Sequence, residues 1–173
     1  MVRQGWKADG QHATSAAMEN RRHRLDLFAD YFQFYVCDGN FKTDTGTLWD
    51  DTTTDHMLAV GPDLIAVGTA RNMGVPLTLE ISASAPANDY TEWDQVIECG
   101  LALPSGTVIA FGCTEVPDDA ERFQVDPGSY VARISYGNLA ELSEDGLEGN
   151  DRYRVQLWPG KADGVSVIKR RPA

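Results

Sequence analysis

The stretch Val75-Pro76-Leu77-Thr78-Leu79-Glu80-Ile81-Ser82 decides the fold. Val75, Leu77, Leu79 and Ile81 alternate with Pro76, Thr78, Glu80 and Ser82. Only an extended backbone puts such a set on one face, with the polar partners on the other. The same period of two runs through Tyr130, Ala132, Ile134 and Tyr136, set against Val131, Arg133 and Ser135. It returns in Tyr153, Val155 and Leu157, set against Arg152, Arg154 and Gln156. Phe32, Phe34 and Val36 alternate with Tyr31, Gln33 and Tyr35. Both faces of that strand are aromatic, which places it in the middle of a sheet or under cover on both sides.

Turn signals separate these runs at short spacing: Arg71-Asn72-Met73-Gly74, Pro104-Ser105-Gly106, Asp126-Pro127-Gly128 and Pro159-Gly160. Strands are expected over 25–37, 56–60, 64–70, 75–82, 94–103, 107–114, 121–125, 129–136, 152–158 and 164–169. Only 138–149 and 90–98 carry a helical alternative. The strand reading of 94–103 prevails, because Pro104-Ser105-Gly106 then closes a hairpin with 107–114. Short strands with frequent turns and no alternating helices predict an all-β fold, a single-domain antiparallel β-sandwich of jelly-roll type with little helix. Residues 1–17 have no apolar period and read as a flexible N-terminal arm, leaving 18–173 as the sandwich domain.

Composition narrows the function classes. The chain has 173 residues with 26 Asp plus Glu against 15 Lys plus Arg, a formal charge of −11. Its longest aliphatic runs, Leu64 to Val67 and Val108 to Phe111, fall far short of the about twenty residues of a membrane helix. Autonomous nucleic-acid binding needs clustered positive charge, which is missing. The first residues lack the apolar core of a secretory signal, so a cytoplasmic protein is expected. Cys37, Cys99 and Cys113 are odd in number and lack C-x-x-C spacing, which suits buried free thiols better than a disulfide framework or zinc site.

The acids are unevenly placed. Residues 38–151 hold 21 acidic side chains and four basic ones, Lys42, Arg71, Arg122 and Arg133. The chain ends are basic, closing on Lys169-Arg170-Arg171. Acids cluster in expected loops, around Asp50, Asp51 and Asp55, around Asp89, Glu92 and Asp94, around Glu115, Asp118, Asp119 and Glu121, and through Glu141 to Asp151. Loops of a sandwich gather at its two ends, so several of these clusters can share a rim that steers a basic partner.

Catalytic motifs are scarce. No Walker loop, G-x-G-x-x-G or G-x-S-x-G occurs. His12 and His23 fall in or beside the expected arm, leaving His56 as the imidazole of the folded part. Asp51, Asp55 and His56 are candidate metal ligands by donor type, but the run lacks the order of an EF-hand loop. Asp50 and Asp51 can equally cap a turn with Thr52, Thr53 and Thr54. No cofactor is implied.

Several of these pieces together resemble a known family. They are Tyr31-Phe32-Gln33-Phe34-Tyr35-Val36, then Trp49 with an Asp-containing loop, then Leu58-Ala59-Val60-Gly61, and finally Phe123, Val125, Asp126, Pro127, Gly128 and Tyr130 as strand, turn and strand. This order resembles the competence protein J family, small bacterial inhibitors of a DNA-entry nuclease, over about residues 25–136. The resemblance implies a β fold and a binding role, and it brings no site residue with it. Residues 137–173, with Tyr153-Arg154-Val155-Gln156-Leu157-Trp158-Pro159, lie beyond it.

Two functional readings follow. The first is a non-catalytic acidic protein that binds a basic nuclease or toxin through Trp49, Asp50, Asp51, Asp55, Asp118, Asp119 and Glu121. The second is a small-molecule or metal-dependent jelly-roll protein with its site near Asp50 to His56. The sequence leaves the oligomeric state open.

Overall fold

The alternating stretches become two packed sheets in the computed structural model, which describes residues 19–173. The expected arm over 1–17 lies outside the described residues. The larger sheet has the order β1 (Arg21–Phe28), β5 (Gly74–Ile81), β10 (Arg152–Pro159), β9 (Gly128–Gly137), β6 (Gln95–Leu103) and β11 (Ser166–Lys169). The smaller has the order β3 (Leu58–Val60), β4 (Leu64–Gly68), β2 (Gln33–Asp38), β7 (Thr107–Gly112) and β8 (Arg122–Gln124). One short helix, α1 (Asp51–His56), precedes β3. The β-sandwich expected from the sequence is therefore present.

Between the sheets, Leu77, Leu79 and Ile81 of β5, with Tyr153, Val155 and Leu157 of β10, meet Phe34, Val36, Ile65 and Val67. A second apolar cluster lies on the outer side of the smaller sheet, where Tyr35, Cys37, Leu64, Ile109 and Phe111 are covered by Phe41, Leu48 and Trp49. This explains the two aromatic faces of β2, which is third of five strands and buried on both sides. Burial pushes the Cys37 thiol up, and it pushes Cys99 up to about 12, with the nearby Glu98 adding to the effect. All three thiols are free.

The outer face of the larger sheet is polar yet largely covered. Arg154 makes a two-pronged pair with Asp89, both bonds 2.7 Å, and lies over the Trp93 ring. Arg133 pairs with Glu98 at 2.8 Å and sits between the rings of Tyr90 and Trp158. Planar guanidinium groups tolerate this burial because carboxylates and ring faces replace their water. The Arg154 contact holds the Asp89 carboxyl below its usual range.

Several sequence expectations are corrected. The sandwich is not wholly antiparallel: β5 and β10 run parallel, since both enter the sheet from connections at the same end. Pro104-Ser105-Gly106 closes no hairpin, because β6 and β7 belong to different sheets and the turn carries the chain between them. Buried Asp38 anchors that turn, accepting hydrogen bonds from the Ser105 backbone N–H at 2.9 Å and its hydroxyl at 2.7 Å. Cys99 and Cys113 consequently point into different clusters. The single strand expected over 25–37 breaks at Ala29–Phe32, where the chain changes sheets and Tyr31 and Phe32 take φ of 53° and 57°. Each such left-handed residue costs about 1–2 kcal/mol for a non-glycine side chain. Residues 51–56 are helical rather than loop, and 138–149 is a set of turns with one bridge, Leu142 to Gly149. His23 is not in an arm: it lies on β1 and stacks on Phe123 at 4.2 Å.

At one end of the core a tyrosine pair ties sheets to loops. Phe34, Tyr153 and Tyr136 stack edge to face at 5.9 and 6.0 Å. The Tyr153 hydroxyl donates to Asp151 at 2.7 Å and accepts from the Ala70 backbone N–H at 2.7 Å. Asp151 also holds Arg71 at 2.5 Å, and Arg71 reaches the Leu147 carbonyl. Tyr153→Phe is expected to cost about 1–3 kcal/mol, the penalty for buried polar groups left unpaired. Asp151→Ala, which strands a buried guanidinium, is expected to cost about 3–5 kcal/mol. Urea unfolding checks both, as a lower midpoint at unchanged slope.

Candidate functional site

Strand direction sets which loops meet. The connections 29–32, 49–57, 69–73, 89–94, 113–121 and 138–151 all reach the same end of the sandwich. They bring one, three, none, three, four and five acidic side chains respectively, and Arg71 is their one Lys or Arg. Arg71 is itself buried against Asp151. The acid clusters that looked separate in sequence thus share one rim. At the opposite end two acids are engaged on backbone: Asp63 accepts from the Lys42 and Thr43 amides, and Asp38 from those of Asn40 and Ser105.

Helix α1 forms because Asp50 caps it. The Asp50 carboxylate accepts from the Thr53 amide at 2.8 Å, and the Thr53 hydroxyl oxygen accepts in return from the Asp50 backbone N–H at 2.7 Å. Those Thr53 bonds hold the Asp50 carboxyl below its usual range. The helix stops at Met57, in the left-handed conformation. Two core side chains pin this end: the Tyr136 hydroxyl donates to the Met57 carbonyl and Gln95 to the His56 carbonyl, each at 2.7 Å. Asp51 is left exposed on the first turn. Asp55 faces the C-terminal tail and pairs with Arg170 at 2.9 Å, which holds its carboxyl down.

Trp49, half-buried, donates its indole N–H to Gln33 at 2.7 Å and packs on the outer apolar cluster. Ala120 and Cys113 pack on the same cluster, so the 113–121 loop and the α1 segment flank one patch. In that loop Asp118 stands 3.9 Å from Arg122, an exposed pair of little energetic value. Asp119 and Glu121, with Glu115 and Asp26, edge a cleft of about 470 Å³ whose floor is Leu25, Leu27 and Ala110. The seven residues singled out from the sequence therefore lie at one end, with Trp49 serving mainly as packing beneath the carboxylates. Asp51, Asp55 and His56 are not drawn together as ligands: among the described residues no group of three or more His, Cys, Asp and Glu is arranged to hold a metal ion.

The sequence offers Tyr31 as one of several aromatics for an exposed binding patch, but it places Tyr31 and Phe32 on a strand and so misses the turn that exposes them together. Tyr31 and Phe32 are 72% and 52% exposed. Tyr31, Phe32, Trp49, Thr54 and Met57 line a cavity of about 270 Å³, and the Cys113 thiol donates to the Asp30 carbonyl at 3.1 Å. Alternation absorbed this pair into a strand. The available signal was the Ala29-Asp30 break in the apolar pattern.

Among solved structures the chain is similar to ComJ from Bacillus subtilis, described as the inhibitor of the DNA degrading activity of NucA. The TM-score is 0.61 at 15% identity, covering 82% of this chain and 99% of that one. It is also similar to crocagin biosynthetic gene J, with a TM-score of 0.58 at 17% identity, covering 83% of this chain and 100% of the other. At these identities the likeness is one of fold. No family model matches the chain, and no curated protein does. No described helix is long and apolar enough to cross a membrane.

The cap makes α1 sensitive to acid. A carboxyl held below its ordinary value stabilises fully above about pH 4 and loses that contribution as pH falls through the lowered value. Asp50→Ala is therefore expected to lower the exchange protection of the Thr53 and Thr54 amides at neutral pH and to remove the further loss of protection, relative to intrinsic rates, that acid brings. Amides of the core strands should be unaffected in both proteins.

Proposed function

We propose that this protein is a non-catalytic inhibitor that occludes a basic nuclease or toxin with its acidic rim. The observation that carries this reading is the convergence of sixteen of the chain's 26 acidic side chains on one end of the fold. A nuclease cleft is lined with cations that hold phosphates, and carboxylates on a rigid rim offer those cations alternative partners. Complementary fields also speed encounter, in a salt-dependent way. The fold similar to that of ComJ, an inhibitor of the DNA degrading activity of NucA, supports the same direction. In this role Asp50 and Asp55 shape α1, while Asp51, Asp119 and Glu121 present charge that no Lys or Arg among the described residues pairs. Asp118, lightly engaged by Arg122, adds to that field, and Trp49 keeps the α1 segment seated. A cytoplasmic setting suits three free cysteines.

Reversing charge at Asp51 and Asp119 tests the rim. D51K/D119K is expected to weaken binding to the partner nuclease more than tenfold at low salt and to flatten the salt dependence. Its melting temperature should change by no more than a few degrees, because both side chains are exposed. Calorimetric titration of a purified basic nuclease at two salt concentrations reads both effects. Equal loss of binding and stability would reject the reading.

A further inference from the structure

We infer that the β1–β2 turn is the apolar anchor of this interface, with Tyr31 and Phe32 inserting among the lysines and arginines of a basic partner's cleft. The inference rests on the proposed inhibitor function and adds the contact that the carboxylates cannot supply. Carboxylates steer and orient, but tight complexes concentrate their affinity in a few desolvated aromatic or arginine contacts.

The turn has an unusual construction. Two consecutive aromatic residues hold positive φ, 53° and 57°, a region that glycine or asparagine fills more readily. Their rings gain little burial in return, since both are more than half exposed. The backbone is nonetheless fixed from several sides. The buried Ala29 donates its N–H to the Met73 carbonyl at 2.9 Å, and the Thr69 N–H donates to the Phe32 carbonyl at 2.9 Å. Asp30 accepts from the Tyr31 amide at 3.0 Å. On the far side, a Cβ at Gly112 would come within 2.0 Å of the Phe28 carbonyl oxygen, so β7 packs tightly under the turn. Strain held by a rigid frame and spent on outward-facing rings points to recognition rather than packing.

The surroundings select the partner's chemistry. The turn meets the α1 segment at Thr54 and Met57, and its Asp30 carbonyl accepts from the Cys113 thiol at the start of the 113–121 loop. An aromatic pair at the end of the fold that carries the acidic connections fits a surface of lysine and arginine, whose cations stack on ring faces and whose aliphatic stems cover ring edges. An acidic or purely apolar partner seated on this end would fit poorly, because the acidic connections would be desolvated without pairing.

The test compares wild type, Y31G/F32G, Y31N/F32N and D51K/D119K. Each is assayed for inhibition of DNA degradation by purified basic nucleases of the host, with NucA alongside, and by thermal unfolding. Glycine adopts positive φ freely, so Y31G/F32G is expected to keep or raise the melting temperature. It should nonetheless bind at least tenfold more weakly, with the salt dependence of the residual binding unchanged. D51K/D119K should show the converse, a flattened salt dependence. Full inhibition by Y31G/F32G would overturn the anchor and leave the acidic rim standing. A fall in melting temperature together with lost inhibition, repeated in Y31N/F32N, would make the turn structural and overturn the anchor as well. Absence of inhibition by the wild type against every nuclease would reject the inhibitor function itself, and the anchor with it.

Discussion

Asp151 is a carboxylate buried at the point where the two sheets, the 69–73 crossover and the long 138–151 connection meet. It is tolerable there only because Arg71 and the Tyr153 hydroxyl occupy its oxygens, and those partners bind the loops in turn. The Tyr153 ring belongs to the core, and its hydroxyl belongs to the rim. Tyr136 repeats the arrangement toward α1, through the Met57 carbonyl. The apolar core thus reaches out through two hydroxyls to fix the elements that carry the acidic surface. Burial raises both phenol groups above their usual range, so they remain neutral donors at physiological pH.

Concentrating negative charge on one end is costly for the folded state, because like charges repel across the rim. Several local devices reduce that cost. Asp50 is neutralised in effect by the helix N-terminus, Asp55 by Arg170, and Asp151 by Arg71. The basic C-terminal tail follows β11 to this same end, where Lys169 donates to the Tyr90 and Trp93 carbonyls. Asp51, Asp119 and Glu121 remain exposed and, among the described residues, make no ion pair, so in the proposed role they are the charge offered to a partner.

In the proposed role, such a rim combines two physical contributions. Carboxylates act over the screening length and favour a cationic surface, whereas the aromatic turn acts only in contact. The sandwich supplies the rigidity that both require, since the turn is hydrogen-bonded twice to the 69–73 crossover and α1 is held by core side chains. The likeness to ComJ is a likeness of fold at 15% identity. The charge placement on this chain's own residues is the independent support for an inhibitory role.

The β-sandwich was legible in the sequence because alternation in stretches such as Val75–Ile81 leaves one backbone geometry that can bury the apolar set. The double burial of β2 was legible for the same reason, from aromatics on both faces. So were the acidic loops, and the Asp50 cap as one of two open readings. Which turns join strands within a sheet and which cross between sheets was not legible, since Pro104-Ser105-Gly106 serves either use. That choice depends on long-range pairing, which local sequence does not encode. It also decided the parallel β5–β10 pair, the gathering of distant acids on one rim, and the break that exposes Tyr31 and Phe32. Local sequence determined each strand and each charge, and the tertiary pairing of those strands determined which charges and rings share a surface.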